Sequence, residues 1–258
     1  MAGNLLRCGA GVAIVPGRIQ VSLPLGTPRP LFMIPWQELG RATIPGESSP
    51  LILVQRDTEF VIRIGPLALM SSRAHGSEEA LAELACARIA VRNVARVLVG
   101  GLGMGFTLAA ALRVLAPDAH VTVAELMPAV IEWNRGPLGP LAGHPLDDPR
   151  VAVYEGDVAV LISQSAASFD AILLDVDNGP NGLTRATNDR LYSPAGLRAA
   201  QRALGQRGVL GVWSVAPDEE FTRRLEAEGF MVQAEIVRAR RTKGGRHTLW
   251  LASGTVAT

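Results

Sequence analysis

The sequence predicts an α/β protein: a doubly wound sheet of seven strands that ends in a C-terminal antiparallel hairpin, preceded by a small N-terminal β element. Three observations carry this expectation. From residue 96 onward, short apolar runs alternate with stretches of helical period, the pattern of a parallel sheet covered on both faces. The first of these runs, Val97-Leu98-Val99, opens into the glycine-rich turn Gly100-Gly101-Leu102-Gly103-Met104-Gly105. The last two runs, near 230–237 and 246–252, have no helical stretch between them, so they are expected to pair antiparallel through 240–245.

Taken in order, residues 1 to about 50 are rich in proline and glycine and read as irregular segments or short strands. The β-prone runs 51–54 and 59–64 flank Arg56-Asp57-Thr58, which suits a hairpin, and 67–70 adds a third strand. At Ser77 the period changes: Leu81, Leu84, Ala85 and Ile89 share a helical face, and Ser77, Glu78 and Glu79 suit a helix start. Strands are then expected at 96–100, 120–124, 151–154, 170–175 and 208–214, and helices at 104–115, 127–134, 194–204 and 217–228. The division that follows is a small N-terminal β region, 1–72, and a Rossmann-like domain, 73–258.

Composition narrows the function classes. A chain of 258 residues with 48% apolar content can bury a sizeable core. Its formal net charge of +1 gives no global attraction to nucleic acid or acidic membranes. No apolar run approaches the roughly 18 residues of a membrane span, and the short run near Val12 to Val15, ending at Pro16, does not suit a signal peptide. Cys8 and Cys86 lack metal-type spacing, and His75, His120, His144 and His247 are scattered. The expectation is a cytoplasmic protein that needs no metal, no nucleic acid and no membrane.

Candidate chemistry collects at successive strand ends. Glycines at Gly101, Gly103 and Gly105, with Leu102 between them, let backbone approach a nucleoside ligand. Glu125, ending the run Val121-Thr122-Val123-Ala124 and followed by Leu126, can accept hydrogen bonds from both ribose hydroxyls; its plainer role is a surface acid near a helix start. Asp157, in Glu155-Gly156-Asp157-Val158, can accept from an adenine amino group while Val158 packs on the ring, and it also suits a helix N-cap. Asp175 ends Ala171-Ile172-Leu173-Leu174 next to the expected reversal of strand order, where it can take a proton from an attacking amine. Asp177 follows in a turn-forming stretch with Asn178, Gly179 and Pro180. Arg73, His75 and Glu78, between the β element and the first helix, are candidates for substrate recognition, as is Tyr192; Trp133-Asn134-Arg135 are candidates to line the same cleft. The basic residues Arg238, Arg240, Arg241, Lys243 and Arg246 read as a solvated hairpin.

From about 51 to 252 the chain resembles the spermidine synthase (polyamine aminopropyltransferase) family, whose sheet is that of class I S-adenosylmethionine-dependent enzymes. The resemblance rests on Val97 to Gly105, on Ala124-Glu125-Leu126-Met127-Pro128-Ala129-Val130-Ile131, on Glu155-Gly156-Asp157-Val158 and on Phe169-Asp170-Ala171-Ile172-Leu173-Leu174-Asp175. It implies a transferase of polyamine biosynthesis that binds decarboxylated S-adenosylmethionine and alkylates a small-molecule amine. Glu125 would hold the ribose, Asp157 the adenine, Asp175 would accept the amine proton, and a homodimer is implied. Met104 stands where the family's glycine loop carries an acid, and the second acid of the family's acidic turn is shifted to Asp177. Three readings therefore stand open: aminopropyl transfer, methyl transfer from S-adenosylmethionine itself, and a non-catalytic cofactor-binding module.

Overall fold

The computed structural model describes residues 14–15, 18–19, 34–92, 94–176, 179–180, 189–240 and 242–254. The chain forms two compact units, Met1–Pro35 and Trp36–Thr258. In the first, β1 (Ile14–Val15) pairs antiparallel with β2 (Arg18–Ile19).

The second unit begins with a four-stranded antiparallel sheet in simple order: β3 (Gln37–Ala42), β4 (Leu51–Arg56), β5 (Glu59–Ile64) and β6 (Leu67–Ser71). The β4–β5 turn holds Asp57 at φ 55, a left-handed conformation that Asp tolerates better than most residues. Strand β3 was not distinguished in the sequence. It is a mostly solvent-facing edge strand of composition QELGRA, so it carries little apolar alternation to read.

Helix α1 (Gly76–Ala87) follows, burying Leu81, Ala82, Ala85 and Cys86. Then come β7 (Arg96–Gly100), α2 (Phe106–Val114), β8 (His120–Glu125), α3 (Pro128–Arg135), β9 (Val151–Glu155), α4 (Val158–Gln164) and β10 (Phe169–Leu174). The chain closes with α5 (Asp189–Tyr192), α6 (Pro194–Ala203), β11 (Leu204–Ser214), α7 (Glu219–Ala227), β12 (Phe230–Arg240) and β13 (Lys243–Gly254). Helix α4 was not expected; its sequence VAVLISQ is β-branched and short, and only the cap at Asp157 marks its start.

The seven strands lie in the order β12-β13-β11-β10-β7-β8-β9. Strands β7 to β11 are mutually parallel. The expected hairpin is present, turning at Arg240 and Lys243, and β13 inserts antiparallel between β11 and β12, so β12 resumes the common direction. The chain starts in the middle at β7, fills one edge with β8 and β9, then returns to place β10 on the other side of β7. That reversal opens a crevice at the carboxyl ends of β7 and β10, where ligands bind in open α/β sheets.

Both faces of the sheet are covered. One core joins α1, α2 and α3 to the inner residues of β4 and β5, including Leu53 and Ile62; the other joins α4, α6 and α7 to β10, β11 and β13. Strand β10 is buried at every position. Its one charge, Asp170, accepts from the Arg92 guanidinium at 2.5 Å and from the Arg96 backbone N–H at 2.8 Å, so the buried carboxylate is paired.

Trp250 fixes the inserted strand: it is buried, its ring meets Phe221 edge-on at 5.0 Å, and its Nε1–H donates to Thr222 Oγ1 at 2.8 Å. Trp250→Ala is expected to cost about 3–5 kcal/mol, read as a lower denaturation midpoint with an unchanged slope.

Candidate functional site

The ends of β7, β8 and β10 meet at one point. Gly101 N–H donates to the Ala124 carbonyl at 2.9 Å, and Asp175 N–H donates to the Gly100 carbonyl at 2.9 Å. Gly101 sits at φ 88, and a Cβ there would lie 2.3 Å from the Asp175 carbonyl oxygen. Only glycine fits both the torsion and the spacing. Gly105, at φ 83, makes the turn into α2.

Glu125 closes the same junction. Its Oε2 accepts from Leu102 N–H at 2.9 Å and its Oε1 from Met127 N–H at 2.8 Å. Burial pushes its carboxyl above the ordinary range, and the backbone N–H groups of Met127, Leu102, Gly103 and Leu126 pull it back toward ionisation. An ionised carboxylate has about four lone-pair sites. Leu102 and Met127 take two of these at close range, the N–H groups of Gly103 and Leu126 lie near by, and the carboxyl lines the cleft.

That cleft has a cavity volume of ≈ 130 Å³. On the strand-end side it is lined by Gly101, Gly103, Glu125, Leu126, Asp157 and Val158, and on the other by Ile62, Leu69 and Met70 of the small sheet. The glycine, ribose and adenine candidates named from the sequence are therefore brought together, apart from Leu102 and Gly105, which shape the turn. Asp157 caps α4, accepting from Ala159 N–H at 2.7 Å, and its other oxygen pairs with Arg190. The capping role is real, and the side chain still borders the cleft.

A second cavity of ≈ 60 Å³ shares Leu69, Met70, Gly103 and Asp175 with the first. Its walls are Met104, Phe106 and Trp213, and two carboxylates face it, Asp175 and Glu78. Thr107 Oγ1 donates to Asp175 Oδ2 at 2.5 Å, and Ser77 Oγ donates to Glu78 Oε2 at 2.5 Å. Burial raises Asp175 to about 6 against the lowering effect of Thr107. Burial, reinforced by the charge of Asp175, raises Glu78 to about 7. The two acids line one cavity, and both are held above the ordinary carboxylate range.

The other substrate candidates separate. Arg73 is half-exposed and lies 3.4 Å from Glu59, away from the lining of both cavities. His75 stacks on Phe106 at 4.1 Å with its Nδ1 3.5 Å from Glu79, one shell behind the cavity wall. Tyr192 is buried in the core beside Phe221, at a ring distance of 5.6 Å. Asp177 and Arg241 lie outside the described residues. Asn134 supports the glycine turn from below, donating to the Gly103 carbonyl at 2.8 Å. Thr107 and Trp213 were not singled out from the sequence; Thr107 falls one residue into α2, and no linear spacing ties it to Asp175. Among the described residues, no group of three or more His, Cys, Asp and Glu side chains is placed to hold a metal, and no helix is long and apolar enough to cross a membrane.

Among known proteins, the fold has clear counterparts. The spermidine synthase of Thermotoga maritima superposes with a TM-score of 0.68 at 19% identity, over 85% of this chain and 74% of that one. The chain has the fold of the spermidine synthases. An O-methyltransferase of Streptomyces achromogenes involved in tomaymycin synthesis, solved with SAM, shares the sheet at a TM-score of 0.51 and 16% identity, over 70% of this chain and 80% of that one. In sequence, polyamine aminopropyltransferase 1 of Streptomyces coelicolor is 32% identical over 123 residues, which make up 47% of this chain but only 22% of that protein. No family model matches the chain.

The raised acids set a pH dependence of stability. Their folded values of about 6 and about 7 exceed the ordinary 3.8 and 4.5, so the folded state holds extra protons between roughly pH 4 and 7. Their contribution therefore weakens the fold as pH rises through that window, and stays unfavourable above it. Thermal unfolding of Asp175→Asn and Glu78→Gln at pH 5 and pH 8 is expected to show a smaller decline than the parent protein, with melting temperatures at pH 8 equal to or above it.

Proposed function

We propose that the protein is a spermidine synthase-like transferase that binds decarboxylated S-adenosylmethionine and moves its aminopropyl group to a small-molecule amine. The cleft suits the adenosine part of such a cofactor: Gly101 leaves no side chain in the way, Glu125 offers paired acceptors, and Val158 gives an apolar wall. When bound, the sulfonium supplies an electrophilic carbon, its C–S bond breaking onto sulfur as the amine lone pair forms C–N.

The observation that carries the choice of cofactor is the charge beyond the glycine turn. The cavity reached past Gly103 presents the carboxylates Asp175 and Glu78, and no Lys or Arg is among the described residues lining either cavity. The N–H groups of Gly101, Leu102 and Gly105 are already donated, to Ala124, Glu125 and Leu102. An α-carboxylate would therefore meet like charge in this cavity, whereas an aminopropyl ammonium and an acceptor amine would meet opposite charge. Of the arginines expected near by, Arg73 is turned to Glu59 and Arg135 to Glu132 instead.

Asp175 then acts as the proton acceptor. With Thr107 fixing one oxygen and a pKa of about 6, it is mainly ionised at neutral pH yet basic enough to take a proton from the newly alkylated ammonium. Positioning supplies much of the remaining rate, because the sulfonium is a good leaving group. A cytoplasmic homodimer serving polyamine-type biosynthesis without a metal completes the reading.

The test is product identity. The protein is incubated with an amine panel and each cofactor form, and products are weighed by mass spectrometry. Aminopropylated amine from the decarboxylated form supports the proposal; methylated product from S-adenosylmethionine alone replaces it with a methyltransferase. Asp175→Asn is expected to lower turnover about 10²–10⁴-fold with cofactor affinity largely kept, and unchanged turnover would remove Asp175 from the chemistry.

A further inference from the structure

Behind the acid pair lies a line of hydrogen bonds that the alkylation chemistry leaves unused. Glu78 Oε2 is 2.5 Å from Ser77 Oγ, and Ser77 Oγ is 2.7 Å from His247 Nδ1. Ser77 is fully buried in the first turn of α1, yet its hydroxyl caps nothing. His247 comes from β13, a strand 170 residues away in sequence. Its ring meets Trp213 of β11 edge-on at 4.7 Å, and across the ladder it pairs with Val237 of β12. Its far nitrogen, Nε2, lies 3.6 Å from where a side chain on the exposed Gly245 would begin, at the open end of the hairpin.

We infer that Ser77 and His247 form a proton path that carries the proton of each transfer from the buried carboxylates to solvent. The inference rests on the amine alkylation proposed above. A hydroxyl has one proton to give and can accept another, so this chain has two bonding patterns. In one, Glu78 O–H donates to Ser77 Oγ, which donates to His247 Nδ1. In the other, Ser77 donates to ionised Glu78, and His247 Nδ1–H donates to Ser77. Passing from the first to the second moves one proton from Glu78 to the imidazole, and no heavy atom need travel.

The balance over a cycle is a single proton. The alkylated ammonium gives it to Asp175, and Asp175 passes it to Glu78 across the cavity both acids line. Glu78 sends it through Ser77 to His247 Nδ1, and Nε2–H releases one to water. The neutral ring, left protonated on Nδ1, then turns about Cβ–Cγ and exchanges with solvent back to the Nε2–H form that accepts from Ser77 again. Both acids return ionised for the next amine. The groups around the ring favour release. Burial holds His247 below its ordinary range, so it does not retain the proton at neutral pH. Glu78 is the acid that reaches it, through Ser77 from α1. Trp213 and Val237 face it from β11 and β12, neither of which titrates. Arg246 precedes it on β13 and Arg238 pairs with Arg246 on β12; both are exposed cations that oppose a lasting imidazolium.

Two measurements test the path, and the first needs no turnover. In the intact protein with ¹⁵N-labelled histidine, the His247 Nδ1 resonance is expected to shift as the pH passes through about 7 with Glu78, and to lose that step in Glu78→Gln and in Ser77→Ala. A His247 titration unaltered by Glu78→Gln overturns the inference. The second uses His247→Gln, which keeps hydrogen-bonding atoms but cannot carry a proton. The expected result is a fall in kcat of about 10–100-fold in weak buffer, with unchanged cofactor affinity and partial recovery on adding imidazole. Undiminished kcat in weak buffer also overturns it. If the parent protein alkylates no amine while the resonance still follows Glu78, the coupling that defines the path stands and the aminopropyl reading falls.

Discussion

Everything in the site depends on how closely β7, β8 and β10 approach one another at Gly101. The Ala124 and Gly100 carbonyls tie the three strand ends together, and the Asp175 carbonyl fills the space a Cβ would need. The same junction fixes Glu125 at the end of β8 and Asp175 at the end of β10. One close approach thus spaces the candidate nucleoside contacts and the candidate base on the ends of the strands themselves.

Burial then gives these acids their character. Burial raises Glu125, and the backbone N–H groups around it oppose that rise while fixing both of its oxygens at the strand end. Asp175 and Glu78 have one strong donor each, from Thr107 and Ser77, and remain raised toward neutral pH. All three are raised by burial, and they differ in their partners: backbone N–H groups for Glu125, a side-chain hydroxyl for each of the other two. The small sheet adds the apolar wall of Ile62, Leu69 and Met70, which lowers the local dielectric and strengthens both effects.

Much of this was legible in the sequence, for identifiable reasons. The strand-turn-helix period exposed β7, β8, β9, β10 and β11, and the missing helix between the last two runs exposed the hairpin. Glu125, Asp157 and Asp175 were legible because each directly follows an apolar run, and a strand end is where an open α/β sheet presents side chains to a ligand. Edge strand β3 and helix α4 left weak signals, the one polar and the other short and β-branched. Arg73 and His75 were near the site in sequence but are turned outward to Glu59 and Glu79. Thr107, Trp213 and His247 reach the acids only through tertiary packing, which no local spacing encodes.

The measurement that bears most directly on this account is a calorimetric titration of the protein with S-adenosylmethionine and, separately, with its decarboxylated form. The acidic end of the cleft predicts tighter binding of the decarboxylated form, by at least tenfold, or about 1.4 kcal/mol. Equal or tighter binding of S-adenosylmethionine would contradict the assignment of that end of the cleft to an aminopropyl group.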